Sequence, residues 1–468
     1  MPESFGLAAC TGLVTGSIAI MISFLKIGTR RTIFTFFLGI GVYLLGVGLI
    51  GLSPWGALAQ APSATTFLSA TAQYSMSWLA PIHPFLALLV VTGQTPAPDP
   101  AAVHAYGWPA RWLLAYPQYG YMLLTTLASV LMVLFSLVWV RRGAKEGERT
   151  IFSRLAEWLL PARAGERRRK PRRVWRNPIA WREAATRASA GGRSLLRLLF
   201  IVAGFLAGIV LLIAHHSGAW GLGPGTVALT RAWLTPLVWV ELAVILLVVT
   251  NTAATTLTRE KESLTIELLL ATPLTSRYII AGMLQGLVRL VVPLIAVPTL
   301  TIALFVLVDL LRGGAAPVTT VEAVFLVPLL LIAFAALAAM IGLHFSLLSK
   351  KTVQAVMIST TIVLGAAGLL TACGVALRGT NPTVLGVVLP FTPVWSLEAL
   401  LDPWLVASSA SGGWSSAGGA LSAPELTAFR VVRVIFSLVA AGVYLAITYA
   451  LYNSMVRGFD MTVRRQSA

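Results

Sequence analysis

Charge is scarce in this sequence: 11% of its 468 residues are Asp, Glu, Lys or Arg, where a soluble domain carries about a quarter. So little polar surface cannot cover a soluble globule of this length. With 57% of residues hydrophobic and a mean hydropathy of +0.83, the chain reads as an all-α polytopic membrane protein. Cysteine is nearly absent. Cys10 and Cys373 both sit in apolar runs, which excludes a disulfide framework and a cysteine-built zinc site. No Gly-x-x-x-x-Gly-Lys-Ser/Thr phosphate loop occurs, and the longest soluble stretch, 53–117, is too short for a nucleotide-binding domain. The chain therefore cannot hydrolyse ATP alone. Its N-terminus, Met1-Pro2-Glu3, has no basic n-region, so no cleaved signal peptide is expected.

What is abundant is apolar runs of about 20 residues, the length that crosses a bilayer core. Nine are predicted, over 6–25, 32–52, 118–140, 196–214, 233–255, 279–308, 320–348, 353–377 and 431–453. Odd parity puts the termini on opposite sides. With the N-terminus outside, the cytoplasmic segments hold 27 Lys and Arg and the external segments five, Arg111, Arg231, Arg312, Arg378 and Arg430. That asymmetry is the positive-inside signature. It accounts for the net charge of +18 and removes the need for a nucleic-acid partner. The expected location is the inner (cytoplasmic) cell membrane, with the C-terminus cytoplasmic.

Two segments stand apart. Residues 141–195 carry a net +11, with the run Arg167-Arg168-Arg169-Lys170-Pro171-Arg172-Arg173. Such a segment is either a patch for anionic headgroups or an acidic partner, or a solvated linker that fixes topology. Residues 407–420, rich in Ser and Gly, read as a flexible external loop.

The chain partly repeats itself. A span ending Ser23-Phe24-Leu25 meets a basic turn, Arg30-Arg31-Thr32; later a span ending Ser346-Leu347-Leu348 meets Lys350-Lys351-Thr352. An external Pro-led apolar segment follows each time, from Pro84 and from Pro393, and then a last span ending in basic residues. Residues 1–140 would be a partial, three-helix repeat with the external segment 53–117. A basic linker, 141–176, would join it to a six-helix unit, 177–468. Chance similarity between apolar segments is the alternative. The missing front half is open to two readings, a genuine loss or a start at an internal methionine.

The most specific feature is Thr258-Arg259-Glu260-Lys261-Glu262-Ser263-Leu264-Thr265-Ile266-Glu267-Leu268-Leu269-Leu270-Ala271-Thr272-Pro273-Leu274. Glu260 and Glu262 are expected to open a short cytoplasmic helix, where the N-terminal dipole favours acids. Leu264, Leu268 and Leu269 give it an apolar stripe, and Pro273 stops it. Upstream, Asn177-Pro178-Ile179-Ala180-Trp181-Arg182-Glu183 combines a helix start with an interfacial Trp and Arg.

Together these stretches resemble the permease subunits of ATP-binding-cassette transporters of type 2, the exporter-like family, over 177–468. The resemblance implies a six-helix permease unit with a cytoplasmic coupling element, 258–277. Glu260, Glu262, Glu267, Leu268, Thr272 and Pro273 would then contact a separate ATPase subunit. Asn177, Pro178, Trp181, Arg182 and Glu183 would form an amphipathic interfacial helix leading into the first span of the unit. ATP and Mg would sit on the ATPase, and no cofactor or metal on this chain. The partners implied are that ATPase, membrane lipids and a second permease, in a homodimer or heterodimer.

Charges inside spans are costly and invite a functional reading. Glu241 and Arg289 lie at matching depth in their spans, which suggests a pair at the pore; alternatively Arg289 snorkels to the interface. His215-His216 is expected to cap a span end. Pro293 and Pro298 could kink the span 279–308. Two other function classes stay open: an integral-membrane enzyme acting on lipid-linked substrates through 53–117, and a membrane scaffold anchoring a partner through 141–195.

Overall fold

The computed structural model describes residues 2–23, 36, 39–41, 43–48, 51, 77–92, 107–141, 179–180, 191–219, 222–223, 225–263, 265, 274–313, 317–376, 382–404, 406 and 423–467. The chain forms two compact units, Met1–Leu155 and Ala156–Ala468. Every element among the described residues is helical. Eight helices are long and apolar enough to cross a membrane. The ninth expected span, 32–52, falls largely outside the described residues, as do the basic turn 26–31, the linker 142–176 and the loop 407–420.

The smaller unit is built on α1 (Pro2–Ser23) and α4 (Pro117–Arg141), with α2 (Pro84–Val91) and α3 (Ala110–Ala115) beside them. Gly6 lets α1 approach α4: a Cβ there would lie 2.8 Å from Met122 Cε. The Thr11 and Tyr121 hydroxyls meet at 2.9 Å, and Tyr119 donates to Glu3 at 2.7 Å. Leu7, Ala87 and Tyr121 form the buried contact. Leu123, Leu127, Leu131, Leu134 and Phe135 stay exposed, as a lipid-facing surface requires.

The larger unit contains α5 (Gly191–Ser217), α6 (Val227–Glu262), α7 (Ser276–Arg312), α8 (Val321–Leu348) and α9 (Thr352–Ala376). It continues with α10 (Pro382–Val388), α11 (Pro393–Leu401) and α12 (Ala423–Ser467). Its centre is the pair α6 and α8, apolar nearly all round and therefore enclosed by the others. Lipid is as apolar as leucine, so close backbone packing rather than water exclusion must hold such helices together. Gly342 provides it, since a Cβ there would lie 2.7 Å from the Thr250 carbonyl oxygen. Helix α7 starts with Thr275 capping Tyr278 N and ends at Gly313 in left-handed geometry, φ 60°. Pro293 and Pro298 lie inside it without ending it.

One construction occurs in both units. A 3₁₀ turn with Pro at its second position (Ala80–Ile82; Leu389–Phe391) leads into one extended residue, His83 or Thr392. A helix beginning with Pro follows, α2 or α11. The extended residue donates its backbone N–H to the first residue of the turn, His83 to Ala80 O and Thr392 to Leu389 O. His83 is buried; its Nδ1 accepts from Leu86 N, and its Nε2 lies 3.0 Å from Leu44 O. Burial lowers its pKa, keeping the ring neutral and able to accept. In the larger unit α11 is gripped by indoles: Trp395 donates to Thr371 O at 2.7 Å and Trp239 to Val394 O at 3.2 Å.

Candidate functional site

The element expected to receive the ATPase lies at the Glu262 end of the larger unit. Contrary to the expectation that they open a short helix, Glu260 and Glu262 stand in the last turn of α6, which runs unbroken from Val227. Hydropathy suggested a span ending at 255, but nothing in Asn251–Glu262 breaks a helix. Its threonines turn their hydroxyls back onto the helix carbonyls: Thr250 to Leu246 O at 2.7 Å, Thr256 to Thr252 O at 2.9 Å, Thr258 to Ala254 O at 3.0 Å. Glu260 Oε2 accepts from the Thr265 hydroxyl at 2.5 Å and so serves the turn that follows. Residues 264 and 266–273, with Glu267, Leu268, Thr272 and Pro273, lie outside the described residues.

Three side chains join this end of α6 to the turn between α8 and α9. Ser346 Oγ on α8 accepts from Leu257 N and Thr258 N of α6, both at 3.0 Å. Lys261 Nζ donates to the carbonyls that close α8, Ser346 O at 3.2 Å, Ser349 O at 3.1 Å, and Leu347 O. Glu262 Oε1 accepts from Thr352 N, the first amide of α9, at 2.7 Å. Neighbouring residues of opposite charge are thus matched to the negative end of one helix and the positive end of the next. Sequence reading missed Lys261 and Ser346. The Ser346–Lys350-Lys351 turn was noticed only as a piece of a repeat.

Compared with known proteins, the chain matches no family model, no curated protein and no solved structure. The geometry must carry the functional reading.

Glu241 and Arg289 are not paired. Glu241 is 2% exposed, and neither of its oxygens has a hydrogen-bond partner. Arg289 is on an exposed face of α7. Equal depth along two helices does not set equal azimuth, which is what pairing needs. Of the expected amphipathic helix, Asn177, Pro178, Trp181, Arg182 and Glu183 lie outside the described residues; Ile179 and Ala180 are described and buried, Ile179 in the main core.

At the opposite end of α6, arginines close the bundle. Arg231 Nε donates to Val318 O at 2.8 Å and Nη2 to Pro317 O at 2.7 Å; Nη1 stands 3.7 Å from Asp402 Oδ1. Its guanidinium also lies 3.7 Å over the Trp404 ring. Val318 N donates to Asp309 Oδ2 at 2.7 Å, Arg430 pairs with Glu322 at 2.6 Å, and fully buried Arg433 donates to Ala399 O. His215 meets the Thr230 hydroxyl at 2.7 Å and His216 meets Arg312 at 3.1 Å, so both histidines join this network. Among the described residues no cluster of His, Cys, Asp or Glu could hold a metal.

Proposed function

We propose that the chain is the membrane-spanning permease subunit of an ATP-driven transporter, an exporter of the type 2 ABC class, worked by a separate ATPase subunit. The observation that carries the reading is the junction at the Glu262 end. There α6 is bonded through Ser346, Lys261 and Glu262 to the end of α8 and the start of α9. A push on the segment that follows Glu262 would reach three transmembrane helices at once, which is what coupling by a docked ATPase requires. The stretch Glu267–Leu274, whose pattern resembles the coupling element of that family, begins five residues beyond Glu262.

Orientation follows from charge. The segments on the side of the Glu262 end hold 27 Lys and Arg, and the segments on the other side five. The Glu262 end is therefore assigned to the cytoplasm. The shared turn–Pro-helix construction supports reading residues 1–140 as a partial repeat of the larger unit.

The test is to purify the tagged chain from its native membrane, identify what accompanies it, and measure ATP turnover in liposomes. A stoichiometric partner bearing a phosphate loop, with turnover that falls when Lys261 is replaced by Met, is the expected result. A chain that comes out alone, with no ATP turnover, overturns the permease reading.

A further inference from the structure

Glu241 has no role in the junction or in the arginine network. It lies about 21 Å along α6 from Val227, deep within a helix about 54 Å long. Its surroundings are unusual in one respect: a second buried polar group beside the same helix also lacks a partner. Thr301 of α7 is also 2% exposed, and its Oγ1 likewise has no partner. Both side chains lie against α5, at Gly204-Phe205-Leu206-Ala207-Gly208. A Cβ on Gly204 would be 2.8 Å from Glu241 Oε1 and 2.9 Å from Val297 Cγ1, and a Cβ on Gly208 would be 2.7 Å from Thr301 Oγ1. The glycines are one turn apart, so two unpartnered groups, the Glu241 carboxyl and the Thr301 hydroxyl, face the same bare stripe of α5 backbone.

That stripe offers them nothing to bond. Amides in the interior of a helix already donate to carbonyls four residues back. No charged side chain among the described residues acts on Glu241, although α5, α7, α8, α9 and α11 all pack against α6. The facing positions on α5 and α7, Gly204, Gly208, Val297 and Thr301, include no titratable group. An ionised carboxylate held there would be a bare charge in a low-dielectric interior, whereas a carboxylic acid has no net charge and gains a donor. Hard metal cations take about six oxygen ligands, and the side chains against this stripe supply three at most, from Glu241 and Thr301.

We infer that Glu241 is a proton-binding site of the packed α5–α6–α7 interface. With α5 seated, the carboxyl holds a proton. When α5 separates from α6 and α7 and water reaches the carboxyl, the proton passes to water as hydronium and leaves the carboxylate hydrated. Reseating reverses the step: hydronium returns its proton to one carboxylate oxygen and water departs. No electrons change hands. Opening of this interface therefore releases one proton, and closing takes one up. The inference concerns the packed bundle and holds whether or not the chain transports anything.

Infrared spectroscopy of the full chain in liposomes tests it, with thermal unfolding alongside. At neutral pH the wild type should show a carboxylic-acid C=O band that is lost in Glu241→Gln and displaced, not lost, in Glu241→Asp. Wild-type stability should fall as pH rises from mildly acidic to weakly alkaline and then level off, because over that range the packed state retains a proton that the opened state has given up. Glu241→Gln should lack that part of the fall. If Glu241→Gln does not fold, Glu241→Asp and Thr301→Val, which should each shift the band, keep the measurement decisive. The same C=O spectrum in wild type and Glu241→Gln overturns the inference, since Glu241 is then ionised. So does stabilisation by sodium chloride but not choline chloride at fixed pH, which would make the site a sodium site.

Discussion

At the Glu262 end of the larger unit, helices are joined through their own termini: a lysine on the closing carbonyls of α8, a carboxylate on the first amide of α9, a serine on two amides of α6. At the Val227 end they are joined by guanidinium groups that reach across to loop carbonyls and carboxylates, Arg231 to Val318, Pro317 and Asp402, Arg430 to Glu322, Arg433 to Ala399. The first arrangement makes three helices follow one another, because Lys261 and Glu262 cap helix ends where the dipoles favour their charges and Ser346 adds a lateral bond between α8 and α6. The second fastens the short segments around α11, where long side chains bridge irregular backbone. One end is built to pass on a displacement and the other to resist one.

Breaking the arginine end should have the largest effect. Arg231→Ala strips two carbonyls of their donor and takes a cation from beside buried Asp402, and should cost about 3 kcal/mol in unfolding from detergent micelles. Arg231→Lys should recover only part of it, since one ammonium cannot make the planar three-way contact. Next comes Ser346→Ala, which removes the hydroxyl that two buried α6 amides reach in addition to their own helix carbonyls, and should cost about 1.5 kcal/mol by the same measurement. Lys261→Met should cost about 1 kcal/mol of stability, the value of a half-buried helix-terminus cation. On the proposed function its larger effect should be on ATP turnover with the proposed ATPase present, and a loss of stability with turnover unchanged would contradict the contrast between the ends. Glu262→Gln should be smallest, under about 0.5 kcal/mol, because the amide oxygen still accepts from Thr352 N at an exposed site.

The helical, membrane-spanning character was legible because apolar runs of the right length admit few other structures. Helix ends were not. Hydropathy marks where lipid stops, and α6 runs seven residues beyond the predicted edge at 255 because its threonines satisfy their own helix. That error misplaced Glu260 and Glu262, turning last-turn residues into first-turn ones. Glu241 stands out in the sequence as an ionisable residue inside a span, and it is buried, but its neighbours were invisible, since the partners of a glycine stripe depend on helix rotation rather than on spacing. The arginine network left one faint trace: the few Lys and Arg on the predicted external side included Arg231, Arg312 and Arg430, all of which the structure ties to partners.

The contact of Gly342 with the Thr250 carbonyl divides α6 unequally. About 18 Å of helix lies between Thr250 and Glu262, and about 35 Å between Thr250 and Val227. With backbone touching backbone there, and the short arm bonded to α8 beyond it, the two helices form a double strut at the Glu262 end, and spin labels placed there on α6 and α8 should report a single narrow distance.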